Sequence, residues 1–168
     1  MIDQIAERTR TFAWEDPMIG AEQEKNMSGM EYLQAMIDGK LPAPPLSRTL
    51  GFQLSEIGEG RAVFTCEPAE FHYNPIGIVH GGLAATLIDS ATGVAVHTLL
   101  PAGTGYTTIE LHINLIRPLT ATTGQIRAEA EIVNAGRTLA IAQARIVDSA
   151  GKLYAHGTST CMIFRPEN

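Results

Sequence analysis

The pattern of apolar and polar positions changes period along the chain. Ile2, Ile5, Ala6 and Thr9 fall at helical spacing and predict a weak amphipathic helix within 2–12; a polar stretch follows through Pro17 and Gly20. A clearer helix begins after Ser28, which forms the S-x-x-E capping box with Glu31; Met30, Leu33, Met36 and Ile37 make its apolar face, and Gly39 and Pro42 end it. Pro44 and Pro45 give a stiff connection. From Gly51 the pattern becomes strand-like, with Leu54, Ile57 and the run Arg61–Glu67 flanking a turn at Gly58-Glu59-Gly60. Residues 83–99, LAATLIDSATGVAVHTL, then form one long and nearly all-apolar helix, stopped by Pro101 and Gly103. Residues 106–117 alternate, with Ile109, Leu111, Ile113 and Leu115 on one face and Thr108, Glu110, His112 and Asn114 on the other. Residues 124–134, 138–148 and 152–165 are further strands, joined by turns at Asn134–Arg137 and Asp148–Gly151. This order predicts an α+β fold, in which an antiparallel sheet, its last four strands in meander, wraps one central helix. Residues 1–45 read as a helical N-terminal extension with no nameable chemistry, and 46–168 as the main domain.

The long helix carries a single acidic or basic side chain, Asp89. A helix apolar on every face is expected to be buried, and a buried carboxylate needs either a structural partner or a chemical task. Its neighbours three and four residues away are small: Ala85, Thr86, Thr92 and Gly93. Gly93 admits two readings, close packing of a strand or room for a ligand beside the carboxylate.

Composition narrows the class. The chain has 168 residues, 45% of them hydrophobic, and a formal net charge of −6, which speaks against nucleic acid as partner. No apolar run is long enough to span a bilayer, and the N-terminal residues Asp3, Glu7, Arg8 and Arg10 do not make a signal peptide. Cys66 and Cys161 have no metal-type spacing, so reduced thiols in a cytoplasmic protein are expected.

His80-Gly81-Gly82 opens the long helix. The first amides of a helix lack internal acceptors and lie at the positive end of its dipole, and glycine lets another group approach them. Such a start suits an oxyanion or a polarised carbonyl. Gly81 and Asp89 are separated by ~12 Å along a helix, so one carbonyl cannot meet both in one chain. If both act on one carbon, two antiparallel helices related by a twofold axis must supply them, which implies a dimer with two composite sites.

Asn74-x5-His80-Gly81-Gly82-x6-Asp89, followed by Thr108-x9-Pro118, resembles the hotdog-fold acyl-CoA thioesterases, and most closely their phenylacetate-pathway (PaaI-type) branch. The resemblance covers about residues 46–165. It implies a hotdog fold, a homodimer with a homotetramer left open, an acyl-CoA substrate and no separate cofactor, coenzyme A being part of the substrate. By position it assigns the catalytic carboxylate to Asp89, the carbonyl-polarising amide to Gly81, a water- or carbonyl-holding role to Asn74 with His80 in support, and a water-orienting hydroxyl to Thr108, with Thr107 as its neighbour alternative. Gly82 belongs to the same helix start. Arg117 and Arg137, with Lys152 and Arg165, are the positive charges near strand ends that could meet the nucleotide of coenzyme A.

Other chemistries fit less well. A hotdog hydratase or dehydratase would pair a histidine such as His80 with Asp89, and a non-catalytic acyl-CoA-binding module would leave the lone carboxylate without a task. His72, His80, His112 and His156 match no metal-ligand spacing, and no G-x-S-x-G occurs.

Overall fold

The computed structural model describes residues 7–165. Three short helices come first: α1 (Met18–Glu24), α2 (Gly29–Ile37) and α3 (Pro45–Leu50). Strands β1 (Phe52–Gly58) and β2 (Arg61–Cys66) lead through a 3₁₀ turn to the long helix α4 (Gly81–His97), and β3 (Gly105–Leu115), β4 (Ile126–Ala135), β5 (Leu139–Asp148) and β6 (Leu153–Phe164) complete the chain. All strands join one antiparallel sheet in the order β1-β2-β4-β5-β6-β3.

This is the α+β hotdog arrangement, with three local corrections. The last four strands do not form a simple meander: β3 crosses the sheet to pair with β6 and becomes an edge, while only β4, β5 and β6 follow one another. Residues 7–16 form no helix, and the rest of the N-terminal helix expected within 2–12 lies outside the described residues. Two helices occur where loop was expected. Asp16 Oδ1 accepts from the Met18 amide at the start of α1, and in α3 Pro45 takes the first helical position, where a proline's missing N–H costs nothing.

α4 rests on the concave face of the sheet. Leu87, Ile88, Ala91 and Ala95 are completely buried, against Ile126, Ala128, Ala144 and Ile146. Alanines at inward positions of β4 and β5 let the helix lie close to the sheet, so its larger side chains fill the space between. Gly157 allows the same closeness at the edge: a Cβ there would stand 2.4 Å from the His112 carbonyl oxygen and 3.1 Å from Ile88 Cγ2. On the outer face of the sheet, Arg127 bridges Glu56 and Glu129 while Arg145 also pairs with Glu129.

The helix is nevertheless not buried all round. Gly81, Gly82, Ala85, Thr86, Asp89, Ser90 and Val94 are only half-buried. These positions recur every three or four residues and form one stripe, which the single sheet of one chain does not reach.

Candidate active site

Asp89 sits in the middle of that stripe. Its Oδ1 is buried and has no hydrogen-bond partner among the described residues. Satisfying a buried carboxylate oxygen is the rule, and leaving one unpaired is costly. A cavity of about 1050 Å³ opens beside it, bordered by Asp89, Ser90 and Val94 of α4, Thr108 of β3, and Tyr32 and Met36 of α2.

Among the residues singled out from sequence, the cavity brings Asp89 and Thr108 together. Thr108 is half-buried, and its hydroxyl lies 3.8 Å from Cys161 Sγ. Thr107 is exposed and does not border the cavity, because successive strand residues face opposite ways. Gly93 is also explained. A Cβ there would meet the Tyr106 ring at 3.2 Å, so the glycine makes room for an aromatic side chain from β3. Burial, followed by the charges of Cys161 and Asp89, pushes the Tyr106 hydroxyl far above the usual phenol range, which keeps it a neutral donor.

Asn74, His80, Gly81 and Gly82 lie at the other end of α4, outside the cavity. α4 runs unbroken from Gly81 to His97, so the ~12 Å separation of Gly81 and Asp89 holds within one chain. The loop before the helix is built by Asn74, whose Oδ1 accepts from the Ile76 and Ile78 amides at 3.0 and 3.2 Å. Among the described residues its Nδ2 donors have no partner. Gly77, at φ +83°, closes the loop. His80 is the N-cap: its Nδ1 accepts from the Gly82 amide at 2.8 Å, while Leu83 donates to the His80 carbonyl. The Gly81 amide is the first-turn donor that neither bond uses. Leu115 covers Gly81 closely, with Cδ1 2.6 Å from where a Cβ would stand.

The basic candidates separate. Arg137 lies in the β4–β5 turn, where its carbonyl accepts from Arg165 Nε. Arg117 follows the opposite end of β3 and donates to the Leu153 carbonyl. Thr107 pairs with Met162, beside Leu139, whereas Leu115 pairs with Ala155. The two ends of β3 are thus on the order of 25 Å apart, too far for Arg117 and Arg137 of one chain to hold a single nucleotide. Lys152 stacks over the Tyr154 ring at 5.6 Å.

Tyr106, Tyr32 and Met36 border the cavity without having been named from sequence as site residues. The aromatic pair had no signal there. Met36 did, as part of the apolar face of α2, but such a face reads first as core. His72 is fully engaged, its Nδ1 accepting from the Ala69 amide and its Nε2 facing the Leu50 carbonyl at 2.8 Å.

The thioesterase superfamily model matches residues 76–155, the span that holds α4, β3, β4 and β5. Human acyl-coenzyme A thioesterase 13 is 31% identical over 131 residues, 76% of this chain and 91% of its own. The chain belongs to the thioesterase superfamily, a family of thioester hydrolases. A 38%-identical relative in Halobacterium salinarum aligns over 51% of this chain and 56% of its own length. Among solved structures, the phenylacetic acid degradation protein PaaI of Thermus thermophilus is 31% identical at TM-score 0.64, covering 73% of this chain and 100% of that one. A phenylacetic acid degradation-related protein of Ralstonia eutropha gives 28% and 0.71, with 78% and 98% covered. The thioesterase superfamily model begins at residue 76, so α1, α2 and α3 lie outside its match.

Proposed function

We propose that this chain hydrolyses the thioester of an acyl-CoA bearing an aromatic or medium-chain acyl group, with Asp89 as general base on water or as nucleophile. The observation that carries this reading is the buried, unpartnered Oδ1 of Asp89 at the edge of a large cavity. A carboxylate left without a donor can accept a proton from water, or attack the carbonyl itself.

The active unit is a homodimer. β3 is an edge strand whose Ile109 and Leu115 are 51% and 61% exposed, and the half-buried stripe of α4 lies uncovered in one chain. A second copy pairing along β3 would cover both, and would bring Gly81 of one helix towards Asp89 of the other. The thioester carbonyl then accepts from the Gly81 amide, which stabilises the oxyanion formed on attack. Thr108 Oγ1 orients the water, and the Asn74 Nδ2 donors hold the carbonyl side, with His80 and Gly82 fixing the helix start. With Asp89 as base, collapse of the tetrahedral intermediate expels the CoA thiolate, which takes the proton Asp89 removed from water, and leaves the free acid; with Asp89 as nucleophile, collapse leaves a mixed anhydride that water then hydrolyses to the acid. Arg117 from one chain and Arg137 from the other would meet the nucleotide of coenzyme A. The reaction needs no further cofactor, and the chemistry suits the cytoplasm, where acyl-CoA esters are found. His80 Nδ1 is committed to the Gly82 amide, which favours hydrolysis over a hydratase that would need that imidazole as base.

The test is thiol release from phenylacetyl-, benzoyl-, hexanoyl-, decanoyl- and palmitoyl-CoA, with Asp89→Asn beside wild type. Release by wild type and its loss in the variant is the expected result. A folded wild type that releases thiol from none of them overturns the reading.

A further inference from the structure

The N-terminal helices are not an appendage. α2 carries the capping box of Ser28 and Glu31, and its Gly29 amide donates to the Leu100 carbonyl at 2.9 Å. The Tyr32 ring lies 5.6 Å from the His97 ring, which in turn lies 5.3 Å from that of Tyr106. Glu24 Oε1, at the end of α1, is 3.6 Å from His97 Nε2. Ahead of α1, Arg10 binds the Thr49 and Arg48 carbonyls and lies 3.9 Å over the Phe71 ring. The whole segment is therefore fixed against the C-terminal end of α4 and the start of β1.

That position decides what its apolar face does. Leu33 is 2% exposed while Met36, Ile37 and Tyr32 are half-buried, and all four border the cavity that Asp89 also borders. Tyr32 packs its ring against His97 and still lines the cavity beside Met36 and Ile37. A methionine is unbranched and deformable, which suits a surface that an acyl chain slides along. The wall also lies outside the residues that the superfamily model matches.

We propose that α2 forms the acyl-side wall of the substrate site and that Met36, with Tyr32, sets the length of acyl group that fits. This rests on the acyl-CoA reading above. A bulky side chain at position 36 shortens the space available beyond the reacting carbon, and a small one lengthens it.

Two experiments on the full chain test this. In the first, Met36→Trp and Met36→Ala are compared with wild type by the ratio of kcat/KM for decanoyl-CoA to that for hexanoyl-CoA. The tryptophan variant is expected to lower this ratio about tenfold or more, and the alanine variant to shift preference towards palmitoyl-CoA, since each methylene in an apolar pocket changes discrimination by such factors. In the second, wild type is irradiated with a decanoyl-CoA analogue carrying a diazirine at the end of its acyl chain. Labelled peptides are expected to contain residues 32–41. Ratios unchanged in both variants, or label confined to the sheet, overturn the wall assignment. A wild type that cleaves no acyl-CoA but takes label on residues 32–41 sinks hydrolysis and leaves the wall standing, so the two failures are distinct.

Discussion

Gly29 and His97 meet backbone to backbone: a Cβ on Gly29 would stand 1.7 Å from the His97 carbonyl oxygen. No side chain can be accommodated without moving one helix off the other. Gly29→Ala is therefore expected to destabilise the protein by about 2–3 kcal/mol, the range of overpacked sites. Urea titration checks it; a loss of unfolding free energy below a tenth of that size would mean that α2 is not held where it lies.

Asp89 is expected to oppose stability while serving catalysis. Its Oδ1 is buried without a partner, and a neutral amide is cheaper to desolvate than a carboxylate. Asp89→Asn should lower turnover by about 10²–10⁴-fold, with an unfolding midpoint equal to or above that of wild type. A variant that lost activity by unfolding would instead show a lower midpoint, and its loss would say nothing about chemistry.

His80 is read as a cap. Its Nδ1 takes the Gly82 amide proton at 2.8 Å. His80→Ala should cost about 1 kcal/mol of stability, and His80→Asn, whose side-chain oxygen can take the same amide, should restore most of it. Thermal unfolding of the pair decides this. If asparagine restores stability but not turnover, the imidazole has a second task in the reaction.

Burial lowers the His97 imidazole from its ordinary 6.5 to about 4, so it is neutral in the folded protein at pH 7. The Glu24 carboxylate 3.6 Å away favours the charged form, but burial prevails. Between those two values the unfolded chain binds the proton and the folded one does not, so stability rises with pH across the window. The contribution is fully present above pH 6.5 and is lost as pH falls towards 4, on the order of 3 kcal/mol. His97→Phe keeps an aromatic ring between Tyr32 and Tyr106 and removes the proton. Unfolding free energies at pH 7.5 and pH 4.5 should then fall by less in the variant than in wild type; equal falls would locate the pH dependence elsewhere.

Much of this architecture could be read from periodicity. Strands β3, β4, β5 and β6 alternate, and α4 is long, apolar and stopped by Pro101. The α2 boundary was legible because the Ser28–Glu31 capping box is a local signal. What escaped was non-local. The move of β3 to the sheet edge depends on which strand it pairs with, and alternation is the same for an edge as for a centre. The sequence of α4 does not say that one chain's sheet covers only part of it. Asp89 and the helix start were visible as unusual residues, but the cavity wall from α2 was not. Met36 and Leu33 share one apolar face, and only tertiary placement shows that this face borders the cavity that Asp89 also borders.

The separation of Gly81 and Asp89 on one helix gives the sharpest test of a shared site. In a homodimer with composite sites, Asp89→Asn chains lack the carboxylate at both sites. Gly81→Val chains lack a usable first-turn amide at both, because even a Cβ at position 81 would lie 2.6 Å from Leu115 Cδ1 and a branched side chain crowds the approach. A mixed dimer of the two variants, however, joins the intact Gly81 of one chain to the intact Asp89 of the other in one of its sites. Two nearly inactive proteins, co-expressed with different tags and left to assemble at random, should regain about a quarter of wild-type activity, since half the dimers are mixed and each has one good site. Tandem purification of the mixed species should raise this to about half. If each site used Gly81 and Asp89 of the same chain, every site in the mixture would carry one defect or the other, and mixing would restore nothing.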